Sequence, residues 1–247
     1  MKKIIIIAII LLNLVAFLSC AGDKKLTLNA SFVELYAHDK HTITTNGSNV
    51  SFSSENPYIA TVNSTTGVVT AMTIGKTTIK VTSDQGDAEV LVNVNQKYNT
   101  YVEPCTDFSK TKSQIISMYG NPDVSDSGGI AYVYDDKKHF GDMYFFSNSK
   151  LYASTAIINQ DYAVELMNFL GERYWAIGSE DGQYVFANGS SIETITMGVV
   201  MSKMSGYKLY SVTYMPYTDD TRSIYEEFNV QQIVNSLDKE WLKQYKL

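Results

Sequence analysis

Apolar and polar positions alternate with a period of two through residues 26–95. In "TTIKVTS", Ile79 and Val81 take one side, while Thr78 and Lys80 take the other. "AEVLVNVN" repeats the pattern, with Val90, Val92 and Val94 facing one way. Short alternating segments separated by turn residues predict two half-buried sheets packed as a β-sandwich. Gly67 in "STTG" and Gly75 in "TIGK" stand where a tight turn demands positive φ, and "SENP" and "SDQGD" supply further turns.

The pattern changes after this stretch. "NQKYNTYVEPCT", covering residues 96–106, has mixed polarity and a proline, and reads as a linker. Helical spacing follows: Ile115, Met118 and Tyr119 share a face, and Gly120-Asn121-Pro122 stops the helix. Strand-like pieces come next, "IAYVY", "MYFF" and "KLYASTAII". The order then recurs. "YAVELMNFLG" lines up Ala163, Leu166, Met167 and Leu170 and ends in Gly171, followed by "QYVFA", "ETITMGVVM" and "KLYSVTYM". Residues 107–247 are therefore expected to form an α+β domain. Two helix-plus-three-strand repeats would build an antiparallel sheet with helices on one face. The last segment places Ile224, Phe228, Val230, Ile233, Val234, Leu237, Trp241 and Tyr245 near one face, which predicts a C-terminal helix or two packed on that domain.

The amino-terminal end has a different character. Lys2 and Lys3 precede an apolar run from Ile4 to Phe17, interrupted by Asn13. Those 14 residues suit a signal-peptide core and fall short of the roughly 20 that span a bilayer as a helix. The run ends in "FLSC", which resembles a bacterial lipoprotein lipobox with Phe17 in the place usually held by Leu. The resemblance implies a signal peptide over 1–19, cleavage before Cys20, acyl chains such as palmitate on that residue, and a short tether over 20–25. At about 0.8 kcal/mol per buried methylene, two or three chains make a durable membrane anchor. The implied location is the cell envelope, anchored to the outer membrane on its periplasmic or cell-surface side.

"VSFSSENPYIATVNSTTGVVTAMTIGKTTIKVTS" resembles the bacterial Ig-like group 2 domain. The shared landmarks are Ser-Ser-x-Asn-Pro, "ATV", "TGVVTA", a glycine turn and a Thr-rich strand, with Phe52 where many members carry Trp. For residues 26–95 this implies a sandwich that serves as a spacer or adhesive module without chemistry of its own. More loosely, 107–217 resembles the outer-membrane assembly lipoproteins and the secreted β-lactamase-inhibitor proteins. The shared elements are "YGNP", "AYVYDD" and "KLYAST"; the second copy lacks a proline after Gly171. Both families bind proteins through the open face of the sheet.

Charge narrows the partners. The formal net charge is −6, and without Lys2 and Lys3 the remaining 18 basic side chains face 26 acidic ones, so nucleic acid is not an expected partner. With Cys20 acylated, Cys105 is a lone thiol and reads as a small hydrophobe. His38 and His41, or Asp84 and Asp87 around Gly86, do not supply three or four converging metal ligands. With three histidines and no GxSxG, HExxH or phosphate loop, the chain is not expected to be an enzyme or to carry a cofactor. "DDKKHFGD" reads as a solvated hairpin loop. Glu165, Glu172, Asp181 and Glu193 are the carboxylates that would have to converge for a glycan-processing role.

Of the 18 tyrosines, most follow residue 97. Tyr152, Tyr210 and Tyr214 are the candidate partner-binding residues, presented from a sheet face to a protein or glycan. In 151–157, Leu151, Ala153, Thr155 and Ile157 would face the helices and leave Tyr152 outward. Tyr210, Val212 and Tyr214 are the more apolar set in the second copy, which allows the reverse. The expected function is adhesion or surface interaction. A periplasmic outer-membrane assembly factor or a protein inhibitor stands as the alternative, and a glycan-processing accessory protein as the third.

Overall fold

A computed structural model describes residues 25–180 and 182–217. Cys20, the signal peptide and the C-terminal amphipathic segment lie outside the described residues. No helix among the described residues is long and apolar enough to cross a membrane.

The first module holds seven strands: β1 Phe32–Tyr36, β2 Lys40–Thr42, β3 Ser51–Ser54, β4 Ala60–Val62, β5 Val68–Ala71, β6 Gly75–Ser83 and β7 Gly86–Asn95. They form one sheet in the order β1-β7-β6-β3 and a second in the order β2-β5-β4, with β1 parallel to β7. The alternation works as read. Ile79, Val81, Val90, Val92 and Val94 point into a core shared with Val33, Leu35, Phe52, Ala60 and Val69. Gly67 is needed as glycine. Its φ is +67°, and a Cβ there would sit 2.5 Å from the Ile43 carbonyl oxygen and 2.9 Å from the Phe52 ring.

The second module opens with α1 Lys112–Tyr119, followed by β8 Val124–Ser125, β9 Gly129–Val133, β10 His139–Ser147 and β11 Lys150–Asn159. A single 3-10 turn leads into α2 Ala163–Gly171, and then come β12 Trp175–Glu180, β13 Gln183–Ala187, β14 Met197–Lys203 and β15 Leu209–Pro216. Each half is thus a helix with four strands, where three were expected. β8 has only two residues, and β12 ("WAIGSE") is interrupted by a bulge near Gly178, so neither shows a clear alternation. All eight strands join one sheet in the order β12-β13-β14-β15-β11-β10-β9-β8. The last strands of the two halves, β11 and β15, pair antiparallel at its centre.

Thr111 caps α1 in a reciprocal box with Gln114, and Gly120 ends it at φ 90°. Only Ile115 of its expected face is buried, because two turns of helix reach the sheet at one point. Met118 and Tyr119 remain exposed. α2 buries Leu166, Phe169 and Leu170 against Ala156, Ile158, Val199, Val212 and Tyr214. The helix side of the central strands is therefore the Ala156/Val212/Tyr214 side. This overturns the expectation that Ala153, Thr155 and Ile157 face the helices. Those residues lie on the other face, which is also buried, with Ala131, Met143 and Phe145 packed there beside Met204 and Tyr207. The switch is a β-bulge. Phe145 pairs with Ala153 but Phe146 pairs with Leu151, so Tyr152 is the extra residue and Leu151 turns back to the helix side.

Candidate functional site

The three tyrosines separate. Tyr152, on the bulge, is 36% exposed and tilts against Phe145. Tyr210 is half-buried and packs at the edge of the α2 core. Tyr214 is fully buried, so it cannot be offered to a partner. Its hydroxyl meets that of Tyr101 and donates to Glu103 Oε1 at 3.0 Å. Strand parity decides this: Tyr214 opposes Val199 on one side and Ser154 on the other, directly beneath α2. Burial pushes the Tyr101 and Tyr214 phenols well above their ordinary pKa.

Residues 96–106, read from the sequence as a linker, are held down. Thr100, Tyr101 and Pro104 are buried. The reason is a polar joint at the end of α2. Glu172 is 2% exposed, and its carboxylate accepts the backbone N–H groups of Lys97 and Tyr98, both at 3.0 Å. Arg173 Nη1 donates to Glu172 Oε1 at 2.6 Å, and its guanidinium stacks 3.6 Å from the centre of the Phe169 ring. The joint also reaches the first module. The Glu172 carbonyl accepts the Ile74 N–H at 2.7 Å, and the Tyr58 hydroxyl donates to the Arg173 carbonyl at 2.7 Å. Thr73 Oγ1 in turn holds the Tyr58 carbonyl at 2.6 Å. Burial raises the Tyr58 pKa, with the Glu103 charge adding to the effect. A buried ion pair whose remaining lone pairs are satisfied by backbone donors is the arrangement that specifies one geometry.

A second polar cluster lies beside it. "DDKKHFGD" is not a solvated loop throughout: β10 begins at His139, and His139 and Asp142 are both buried. His139 Nε2 lies 2.8 Å from Asp142 Oδ1, and the Tyr134 hydroxyl donates to Asp142 Oδ2 at 2.9 Å. Three residues apart, the two would point to opposite faces of a regular strand. An extra residue at Phe140 puts both on the helix side, opposite Ile158 and Ala156. The rings of Tyr101 and Tyr134 close over the imidazole. Burial and the neighbouring Asp142 charge raise the Tyr134 pKa, so its phenol stays a donor.

The remaining candidates go to separate partners. Glu165 pairs with Lys138 at 2.8 Å, Glu172 with Arg173, and Glu193 is exposed; Asp181 lies outside the described residues. Among the described residues no three His, Cys, Asp or Glu side chains are grouped to hold a metal ion. His38 is exposed, and Asp84 accepts from Asn49. Cys105 is half-buried and packs against the Ile115–Tyr144 cluster. A cleft of about 130 Å³ opens where the modules meet, lined by Tyr36, His38, Lys97, Tyr98, Asn168 and Glu172 among others. Spacing along the chain could not reveal it, because its walls come from three distant segments.

Residues 36–94 match the family profile of the bacterial Ig-like domain (group 2), so the first module is a domain of that family. No curated protein matches the chain. Among solved structures, the S-layer protein SbsC is similar at low identity. Its domains 5-6 are 14% identical with a TM-score of 0.26, covering 77% of this chain and 83% of that one. Its domains 4-9 are 12% identical at 0.26, covering 79% and 27%. At these scores the likeness does not amount to a shared overall fold.

Proposed function

We propose that this is a non-enzymatic cell-envelope protein, anchored by lipid at Cys20. In this reading the Ig-like domain is a stiff spacer that holds the eight-stranded domain in a set orientation toward a protein or glycan partner. The observation that carries it is the joint at Glu172. A flexible tether would suffice to keep two independent modules on one chain. Here a buried ion pair, two backbone N–H groups and a tyrosine hydroxyl are spent on fixing the angle between them. Orientation matters to a presenter, and the Ig-like match supports a bacterial surface setting. The His139–Asp142 pair is roofed by tyrosine rings, which supports a structural role over a reactive one.

The test combines metabolic labelling with a palmitate analogue and protease shaving of whole cells. The expected result is a labelled protein that pellets with the outer membrane and loses its label when Cys20 is changed to Ala. An unlabelled chain free in the medium, with an unmodified amino end, overturns the anchor. Surface cleavage of the intact cell favours outward presentation, and protection favours the periplasmic assembly role.

A further inference from the structure

We propose that the cleft between the two modules is a glycan site that takes an acidic sugar, with the chain of the glycan running along the outer face of β1 and β7. This goes beyond the function proposed above, which assigns partner binding to the sheet domain.

Three observations converge. The first is a free cation. Lys97 is exposed, and among the described residues its ammonium makes no ion pair. It hangs over two tyrosine rings, 6.0 Å from the centre of Tyr36 and 5.7 Å from that of Tyr98. The nearby Glu172 carboxylate does not answer it, since both its oxygens are taken by backbone N–H groups and Arg173. What sets Lys97 apart is its place at the cleft, where its charge favours an anion.

The second is the aromatic line leading to it. Phe32 and Tyr36 point outward from β1 and are 48% and 46% exposed. Register places Phe32 beside Leu91, Glu34 beside Asn93, and Tyr36 beside Asn95. At ~3.3 Å per residue, Phe32 to Tyr36 spans about 13 Å, long enough for more than one sugar ring. Aromatic faces are electron-rich and take the C–H face of a sugar, while amides take its hydroxyl edge. Asn93 is already oriented, donating to Asn95 Oδ1 at 2.7 Å and to Glu34 Oε1 at 3.5 Å.

The third is size. The cleft, at about 130 Å³, is well below the ~300–1,000 Å³ of a pocket that engulfs a whole drug-sized ligand. One ring enters, and the rest of the ligand must lie outside on a shallow surface. That geometry fits a terminal sugar acid on a longer glycan. It does not fit a peptide helix, which would need a deep apolar groove.

The experiment is saturation-transfer NMR on the full chain in detergent, with methyl glucuronide as the probe and methyl glucoside and inorganic phosphate as competitors. The expected result is transfer to the glucuronide, weakened about tenfold in Lys97→Met and in Tyr36→Ala, with glucoside a poor competitor. Both side chains are exposed, so circular dichroism should show the fold kept. Transfer should persist in Tyr152→Ala, which separates this site from any surface of the sheet domain. Absence of transfer overturns the proposal, as does transfer unchanged by both substitutions. Competition by phosphate equal to that of the sugar acid overturns it too, reducing the site to a bare anion contact.

Discussion

The two modules solve the problem of a β core differently. Of the described residues in the Ig-like domain, the buried polar side chains are Thr73 and Thr77, and Thr73 serves the joint through the Tyr58 carbonyl. The rest of its core is aliphatic or Phe52. The second module buries Thr100, His139, Asp142, Ser154, Thr155, Glu172, Ser202, Ser211 and Thr213. An apolar sandwich is stabilised by burial alone, and any residue of suitable size serves. Where those groups are paired, as at Glu172, His139–Asp142 and Thr155–Thr213, the core gains less from burial and more in uniqueness, because each paired group tolerates only one set of partners. The Ser154 and Ser202 hydroxyls have no partner among the described residues. In the function proposed above, the apolar first module would be the support, and the second, together with the joint, would do the positioning.

The comparison breaks most sharply at Glu172. Glu172→Gln leaves the buried Arg173 with only its longer pairing to Glu103, at 3.8 Å, and gives up one oxygen that accepts a backbone N–H. The expected loss is about 3 kcal/mol, the low end for a broken buried pair because Glu103 still answers part of the Arg173 charge, and it is concentrated in the second module. Calorimetry of the wild type should show the modules melting together. The variant should split into two transitions, with the Ig-like domain's the higher. A single unshifted transition would mean that the joint does not couple them. Gly67→Ala is the matching change in the Ig-like domain. It forces a Cβ onto the Ile43 carbonyl at positive φ, with an expected cost of about 1–3 kcal/mol, read in the Glu172→Gln background as a fall of the Ig-like domain's higher transition alone.

Alkaline pH acts on the same contrast. The Tyr101 and Tyr214 phenols are raised well above their ordinary value, chiefly by burial, so they stay protonated when folded. In the unfolded chain they ionise near about pH 10. Above that point the unfolded state binds fewer protons, so stability contributed below pH 10 is lost as pH rises toward the folded values. The loss in base should therefore originate in the second module and carry the coupled first module with it. Tyrosinate absorbance should rise in two phases, the later one coinciding with loss of the β signal. In Tyr101→Phe/Tyr214→Phe the later phase should shrink.

How much of this was legible in the sequence follows from how each feature is encoded. The Ig-like strands were plain because one face is buried and the other wet, so burial writes itself as a period of two. In the second module both faces of the sheet are buried, and alternation no longer tells inside from outside. The bulges at Phe140 and Tyr152 then shift side-chain parity by one, which sequence spacing alone does not show. His139 and Asp142 met only through such a shift. The joint was hidden for another reason. Glu172 binds main-chain N–H groups, and these carry no residue-type signal at Lys97 and Tyr98.

The smallest expected effect sharpens the comparison within the tyrosines themselves. Tyr152 and Tyr214 lie at pleat positions that the sequence could not tell apart, yet one is on the surface and the other is under α2. Tyr214→Phe keeps the ring and removes a hydroxyl that donates to Glu103 and meets Tyr101. It should cost about 1–2 kcal/mol, since Tyr101 is left with one fewer partner in a dry site. Tyr152→Ala removes a whole ring but a partly solvated one on a bulge, and should lower the melting temperature by a few degrees at most. If Tyr152→Ala proved the more damaging of the two in thermal melts, the bulge would be a core element. The assignment of Tyr152 as the tyrosine left for a partner would then fall.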